Sequence, residues 1–236
     1  MIRAILFDLD GTLLPMDQDE FMAVYFPYLT AKMEKYGYEP KKLADTLWKG
    51  TYQMMSNDGS ATNEEVFWKY FCSVYGEESR KDEPIFREFY GNEFCYAKKV
   101  CKEQPLAKEI VSYLKSKGIS VILATNPMFP RIATDLRTQW AGFDPKDFDM
   151  ITAYEDFNYG KPNPEYFAEI LRRTGLKADE CLMVGNDMSE DYDAATKVGI
   201  RTYIVTDYLI DRKNRGLDGV EHGTFADMVA FVKSLV

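Results

Sequence analysis

The sequence predicts an α/β fold: a parallel sheet into which an all-helical cap is inserted after the first strand. In residues 105–236, short apolar runs alternate with helical segments, which is the pattern of a parallel sheet covered by helices on both faces. Residues 15–104 contain no convincing strand and instead read as successive amphipathic helices rich in aromatic residues. We therefore expect a sheet domain formed by residues 1–14 and 105–236, and a helical cap formed by residues 15–104.

Each element follows from local signals. The predicted strands are apolar runs at residues 2–7, 119–124, 150–153, 181–184 and 201–205. The predicted helices of the sheet domain cover residues 106–117, 130–140, 164–173, 191–198 and 225–236. Within the cap, helices are expected to begin near Asp17, Pro40, Thr62 and Pro84, because these residue types favour helix starts.

The charge and composition of the chain argue against some classes of binding partner. The formal net charge of −9 argues against nucleic acid or an anionic membrane as the main partner, since both require basic patches. No apolar run approaches the roughly 18–20 residues that span a bilayer, and no signal-peptide pattern opens the chain. We expect a cytoplasmic protein, and the sequence does not predict its oligomeric state.

The sequence does not indicate a metal, redox or catalytic site built from cysteine or histidine. The four cysteines show no C-x-x-C spacing, so we expect reduced, mostly buried thiols rather than a zinc or redox site. A Ser-His-Asp or Cys-His mechanism would depend entirely on His222, the only histidine. We interpret it as a loop or surface residue.

Two carboxylates follow the first strand directly. Side chains alternate along a strand, so Asp8 and Asp10 should point the same way while Leu9 faces the core. Two adjacent carboxylates repel each other unless a cation lies between them, and oxygen ligands of this kind suit Mg²⁺. Gly11 permits a sharp exit from the strand and close access to the backbone.

Other polar residues follow two later strands. Thr125 and Asn126 come after the strand at residues 119–124, and Asp187 comes shortly after the strand at residues 181–184. In open parallel sheets, ligands bind beyond the carboxyl ends of the strands, at a switch point in the strand order. All of these residues should therefore lie along one edge of one sheet, beneath the cap.

Four segments, in order, resemble the motifs of the haloacid dehalogenase-like superfamily, mainly its phosphatase branch with a helical cap. The segments read DLDGTL at residues 8–13, LATN at residues 123–126, GKPNPEYF at residues 160–167 and VGNDMSED at residues 184–191. The resemblance covers nearly the whole chain. It implies a Rossmann-like core and a phosphatase acting on a small phosphorylated metabolite with Mg²⁺ as cofactor.

The resemblance also implies a role for each residue. Asp8 would attack phosphorus and become an aspartyl-phosphate, and Asp10 would act as the acid and base. Thr125, assisted by Asn126, would bind phosphoryl oxygens, while Lys161 would stabilise the phosphoryl charge and the Asp8 side chain. The metal set would be Asp8, Asp10 and Asp187, where the contribution near Asp10 is a backbone carbonyl of Leu9 or Asp10. Asp191 would hold a water of the metal or orient Lys161.

Two positions depart from the family pattern, and two alternatives remain open. Asn186 stands where a second small residue is common, which makes Asp187 a less secure assignment than Asp8, and Asn163 replaces a usual Asp. The dehalogenases of the superfamily lack the acid corresponding to Asp10, so Asp10 favours phosphoryl transfer. A phosphomutase would keep Asp10 as well. A catalytically inactive binding protein would be expected to lose Asp8 or Lys161.

Overall fold

A six-stranded parallel sheet forms the centre of the protein. The structure is a computed structural model and describes all residues, 1–236. The strands are β1 (Ala4–Phe7), β2 (Ser120–Leu123), β3 (Met150–Ile151), β4 (Cys181–Gly185), β5 (Arg201–Val205) and β6 (Glu221–Gly223). Their order across the sheet is β3-β2-β1-β4-β5-β6, and every neighbouring pair is parallel. The α/β fold class with a parallel, Rossmann-like sheet is confirmed.

Nine α-helices surround or extend the sheet. The first four after β1 are α1 (Gln18–Glu34), α2 (Pro40–Met55), α3 (Asn63–Tyr75) and α4 (Glu83–Gly91). The other five are α5 (Pro105–Ser116), α6 (Arg131–Trp140), α7 (Pro164–Thr174), α8 (Ala194–Lys197) and α9 (Phe225–Leu235). We call the segment from α1 to the 3₁₀ helix Glu93–Val100 the helical insertion. It contains no strand.

The strand order reverses next to β1. The chain runs from β1 outward to β2 and β3, and then returns to place β4 on the other side of β1. Phe7 is level with Leu123 on one neighbour and with Val184 on the other. The residues that follow these three strands are therefore brought together at the switch point, which is where open α/β sheets bind ligands.

The two faces of the sheet bury different sets of side chains. Ile5 and Phe7 belong to a cluster of 40 buried residues that also includes α5, α9 and much of the helical insertion. Ala4 and Leu6 belong to a second cluster of 13, shared with α7 and α8. This alternation is the period of a strand. The alternation continues beyond the end of β1, as the position of Leu9 shows: this side chain is fully buried in the first cluster, as predicted.

The helical insertion is tied to the sheet by hydrogen bonds as well as by packing. Its two ends meet where the backbone N–H of Lys102 donates to the carbonyl of Pro15 (2.8 Å). At the start of α3, the Asn63 side chain is fully buried and donates to the carbonyls of Pro127 and Tyr159, both at 3.3 Å. The Asn63 backbone N–H donates to the Phe157 carbonyl at 2.8 Å.

Two predicted elements differ from the structure, and one strand was not predicted. The helix expected at residues 191–198 is a π-helical turn, Met188–Asp193, followed by the single turn of α8. The strand expected at residues 150–153 has only two residues. The strand β6 was not predicted, because the sequence Glu-His-Gly has no apolar residue; it pairs at the sheet edge, where little burial is required.

The cysteines are less buried than predicted, whereas the histidine lies at the surface as expected. All four cysteines are free; Cys72 and Cys181 are buried, Cys101 is half-buried and Cys95 is exposed. His222 is exposed on β6, and its Nδ1 lies 2.8 Å from the Val220 carbonyl. None of the helices has both the length and the apolar character needed to cross a bilayer.

Candidate active site

A buried lysine joins two carboxylates at the carboxyl end of the sheet. The Nζ of Lys161 lies 2.7 Å from Oδ1 of Asp8 and 2.6 Å from Oδ1 of Asp191. Lys161 is fully buried, and Asp8 and Asp191 are only 6% and 1% exposed. Three residues from three parts of the chain therefore form one charged group in the protein interior. Asp191 contacts Lys161 directly, and its two predicted roles, holding a water of the metal or orienting Lys161, stay predictions.

The second oxygen of Asp191 fixes the loop after β4. Its Oδ2 accepts hydrogen bonds from the backbone N–H groups of Asn186 (2.9 Å) and Asp187 (3.0 Å). The chain can approach this carboxylate because residue 185 is a glycine. A Cβ there would lie 2.1 Å from Oδ2 of Asp191. Gly185 is thus required for the geometry that positions Asp187.

Asp187 begins the π-helical turn after β4. Its Oδ1 accepts from the backbone N–H groups of Ser189 (2.7 Å) and Glu190 (2.8 Å). This is the helix N-cap interaction expected for an acid at this position. Such a cap does not exclude metal binding, because a carboxylate has further acceptor positions.

Asp10 pairs with an arginine that the sequence did not single out. The guanidinium of Arg137, on α6, forms an ion pair with Oδ2 of Asp10, while Oδ1 of Asp10 is buried and has no partner. Arg137 is 1% exposed and lies over the ring of Phe129, 4.5 Å from its centroid. One oxygen of Asp10 is therefore held in place and the other is free.

Asn126 positions the backbone around Lys161. Its Oδ1 accepts from the Lys161 N–H (3.1 Å), and its Nδ2 donates to the Lys161 carbonyl (3.2 Å) and to Oε2 of Glu190 (2.9 Å). The Thr125 carbonyl accepts from the hydroxyls of Thr152 (2.5 Å) and Tyr166 (2.9 Å). Both residues lie at the predicted edge of the sheet, and their binding of phosphate stays a prediction.

Asn186 connects three loops at the same edge. It is 2% exposed; its Oδ1 accepts from the Thr12 hydroxyl (3.2 Å), and its Nδ2 donates to the Tyr208 carbonyl (2.6 Å). The neighbouring loop leaves room for it only because residue 11 is a glycine with a φ of +84°, where a Cβ would lie 2.3 Å from the Asn186 amide nitrogen. The departure at residue 186 thus has a structural reason.

Acidic groups outnumber basic groups in this site. Burial raises the pKa of Asp8 above its usual range, since Lys161 only partly offsets burial and the repulsion from Asp191 and Asp10. Burial also raises the pKa of Asp187 and, to about 8, that of Glu190. Although burial acts to lower the pKa of Lys161, Asp191 and Asp8 raise it well above its ordinary value. Lys161 is thus a stable cation, and the site has a deficit of positive charge.

This deficit fits a divalent metal ion. The structure contains no group of three or more His, Cys, Asp or Glu side chains arranged as metal ligands. The predicted set does not require such a group, because it consists of two carboxylates, Asp8 and Asp187, and a backbone carbonyl near Asp10, and it stays a prediction. Mg²⁺ is commonly held by one or two carboxylates together with water and substrate phosphate. The donor chemistry of the residues present therefore suits this ion.

A cavity lies between the site and the helical insertion. Its volume is about 390 Å³, within the range of roughly 300–1,000 Å³ that is common for small-molecule sites. Asp10, Asn126 and Glu190 line the side towards the sheet, and aromatic residues and methionines of the insertion line most of the rest. A substrate bound here would bring a reacting group to the edge of the sheet.

The motifs and the fold have counterparts among known proteins. The family model of the haloacid dehalogenase-like hydrolases matches residues 2–199. The chain belongs to this family. The match covers the four motifs and all of the residues that form the charged site.

Named relatives extend along most of this haloacid dehalogenase-like hydrolase. A phosphorylated carbohydrates phosphatase of Thermotoga maritima is 26% identical over 90% of this chain and 89% of its own. A ribulose-1,5-bisphosphate 5-phosphatase of Halopiger xanaduensis is 23% identical over 86% of this chain and 84% of its own. Together with the family, they identify the chain as a phosphomonoester hydrolase.

Solved structures agree with the fold. A phosphatase of the same family from Thermococcus onnurineus superposes with a TM-score of 0.61, at 18% identity over 98% of both chains. A 2-haloacid dehalogenase from Pseudomonas syringae pv. Tomato DC3000 superposes with a TM-score of 0.63, at 19% identity over the whole of both chains. At these identities the likeness concerns the fold alone, so the chemistry must be argued from the site.

Sequence reasoning missed two members of the site. Glu190 was read only as part of a motif, although it is half-buried and its Oε2 accepts from the Asn126 amide at 2.9 Å. Arg137 had a visible signal, because on the predicted helix at residues 130–140 it falls on the same face as Ala133 and Trp140. A charged side chain on an apolar helix face indicates a buried partner.

Proposed function

We propose that this hydrolase removes phosphate from a small phosphorylated metabolite, with Mg²⁺, through an aspartyl-phosphate formed on Asp8. The observation that supports the proposal best is the buried Asp8–Lys161–Asp191 group at the switch point, with Asp10 beside it on the cavity. Bound Mg²⁺ would screen the negative charge of the phosphate from the Asp8 carboxylate. Asp8 and Asp187 are the side chains that would hold it.

In the first half of the reaction, an oxygen of Asp8 attacks phosphorus and the bond to the ester oxygen breaks. The leaving alkoxide takes a proton from the carboxyl group of Asp10, a residue that lines the cavity and has one oxygen without a partner. Lys161 keeps Asp8 oriented and offsets negative charge near the transferred group. The products are the alcohol and phosphorylated Asp8.

In the second half, a water molecule attacks the phosphorus of the aspartyl-phosphate. The Asp10 carboxylate now accepts the proton of this water, and the bond between phosphorus and the Asp8 oxygen breaks. Inorganic phosphate leaves, and both aspartates return to their starting states. Thr125 and Asn126, at the end of β2, are the proposed contacts of the phosphoryl oxygens.

Phosphate release from p-nitrophenyl phosphate, with Mg²⁺ present, tests this proposal. We expect Asp8→Asn to abolish turnover because the amide is not a nucleophile, and we expect excess EDTA to silence the wild-type enzyme until Mg²⁺ is restored. Asp45→Asn, an exposed acid on α2, is the matched control and should keep full activity. Wild-type turnover by Asp8→Asn would refute the nucleophile, and full activity in EDTA would refute the metal. Turnover that requires a bisphosphate activator would instead favour a mutase.

A further inference from the structure

The cavity beneath the helical insertion has walls suited to an apolar ligand. Of its 22 lining residues, 14 are hydrophobic, and they come from α1, α2, α3, α4 and the loops after β2 and β3. We propose that the alcohol part of the substrate is an aliphatic or aromatic group without a second phosphate or carboxylate. This inference rests on the proposed function, because it assumes that the ester reacts at Asp8.

The charged residues of the wall oppose a second anionic group. Three of them are acids, Asp10, Asp19 and Glu190, and the only cation is Arg212. Arg212 is exposed and donates to Oε1 of Gln18 at 3.1 Å. A second phosphate in the cavity would thus meet no buried cation and would lie near like charges, which is unfavourable in a partly desolvated site.

Three of the four hydroxyl groups of the wall have partners already, whereas the Tyr154 hydroxyl and the buried Nε1 of Trp68 have none. The hydroxyls of Tyr25 and Tyr90 lie 2.8 Å apart and bond to each other, and that of Thr51 donates to the Leu47 carbonyl at 3.0 Å. A sugar placed among these side chains would lose hydrogen bonds to water and gain few in return, which is costly for buried polar groups. An alkyl or aryl group has no such groups to satisfy.

Stacked aromatic rings form the part of the wall nearest to solvent. Trp48 on α2 stacks on Phe26 of α1 with ring centroids 5.1 Å apart, and both residues line the cavity. Trp48 is nevertheless 49% exposed. A large apolar ring that stays half in water at the mouth of a cavity becomes more buried when an apolar ligand enters, and this burial favours such a ligand.

Alkyl monophosphates test the inference without changing the chemistry of the leaving group. Propyl and hexyl phosphate release similar primary alcohols, glucose 6-phosphate is a polar substrate of six carbons, and 1,6-hexanediol bisphosphate adds only a second anion. We expect kcat/KM to rise about 10-fold or more from propyl to hexyl phosphate, because each methylene added in an apolar pocket increases transition-state binding. We expect hexyl phosphate to exceed both six-carbon competitors by at least the same factor.

Two variants locate the preference in the cavity. Trp48→Ala should reduce the ratio of kcat/KM for hexyl over propyl phosphate, whereas Tyr36→Ala, an aromatic residue of equal exposure outside the cavity, should leave it unchanged. Met22→Lys places a cation in the wall and should raise kcat/KM for the bisphosphate relative to hexyl phosphate. Both variant sites are partly exposed, so the fold should tolerate these changes.

The outcomes separate this inference from the proposed function. A wild-type enzyme that releases phosphate but prefers glucose 6-phosphate or the bisphosphate would overturn the inference and leave the proposed function standing. An unchanged hexyl-to-propyl ratio in Trp48→Ala, or an unchanged preference in Met22→Lys, would also overturn it. Absence of phosphate release from every ester, including p-nitrophenyl phosphate, would refute the proposed function itself.

Discussion

Arg137 and Asp10 illustrate how a single buried contact can set the role of a catalytic group. Arg137 is held on α6 by its own helix, where its Nε donates to the Ala133 carbonyl at 3.4 Å, and by the ring of Phe129. It engages one oxygen of Asp10 and leaves the other, which is buried, without a partner. We interpret Arg137 as a positioning residue that directs the free oxygen of Asp10 towards the ester.

Arg137→Met removes the charge and keeps most of the length. We expect kcat/KM to fall about 100-fold for glycerol 3-phosphate, the scale of general acid catalysis. The loss should be smaller for p-nitrophenyl phosphate, because p-nitrophenolate leaves without needing a proton. The free energy of unfolding should fall by about 3 kcal/mol, since Asp10 loses its partner.

The comparison between the two substrates gives the decisive measurement. kcat/KM reports phosphoryl transfer to the enzyme and not the later attack of water, so it isolates the donation of a proton to the leaving group. Arg131→Met, on the same helix but bonded to Asp156, serves as control. An equal loss for both substrates would mean that Arg137 only supports the fold.

Residue-level prediction from sequence succeeded where contacts are encoded by short motifs. Asp8, Lys161 and Asp191 each lie in a segment of recognisable order, and the structure brings them together. Arg137 lies 127 positions from Asp10, and no local pattern specifies that pairing. The only signal of this ion pair in the sequence was a charged residue on an otherwise apolar helix face.

At the scale of elements, glycines allow loops to approach the site closely. Gly185 ends β4 immediately beside the Asp191 carboxylate, which holds the backbone of Asn186 and Asp187. Apolar runs predicted five of the six strands to within a few residues, because burial on both faces leaves a clear pattern. The π-helical turn after β4 could not be predicted, since it depends on this carboxylate and not on periodicity.

Gly185→Ala should disrupt the site through this contact. The new methyl group would overlap Oδ2 of Asp191, so Asp191 and with it Lys161 must move. We expect a fall in kcat of about 100-fold, the scale of a displacement of about 1 Å in a catalytic group. Gly91→Ala on α4, where the nearest atom is 4.0 Å from the added Cβ, is the control and should keep its activity. Normal turnover by Gly185→Ala would contradict the proposed rigidity of this loop.

At the scale of the whole molecule, the helical insertion and the sheet share one hydrophobic cluster. Residues such as Phe21 and Phe94 of the insertion lie in the same cluster as Phe7 and Val184 of the sheet. The sequence predicted the helices and their place in the chain. It did not predict which contacts hold these helices against the sheet, because such contacts join residues that are far apart in sequence. The division into core and cap domains stays a prediction.

Asn63 makes several of the hydrogen bonds that hold the insertion against the sheet. Its side chain bonds to the carbonyls of Pro127 and Tyr159 and accepts from the Asn57 amide at 2.9 Å. Asn63→Ala would leave buried carbonyls unpaired, at a cost of about 1–3 kcal/mol in the free energy of unfolding. For a chain of this size, the Tm should fall by about 2–4 °C for each kcal/mol.

Hydrogen exchange shows whether this loss is local to the junction. The backbone N–H groups of Asn63 and Glu64 donate to the carbonyls of Phe157 and Tyr154, at 2.8 and 3.0 Å. In Asn63→Ala these amides should exchange faster, while those of β1 keep their protection, because the insertion separates from the sheet before the sheet opens. Asn92→Ala, an exposed asparagine on the same insertion, should change neither Tm nor exchange at the junction. If protection fell equally in β1 and at the start of α3, the insertion and the sheet would open as one unit. Access to the cavity would then require a route that leaves the Asn63 contacts in place.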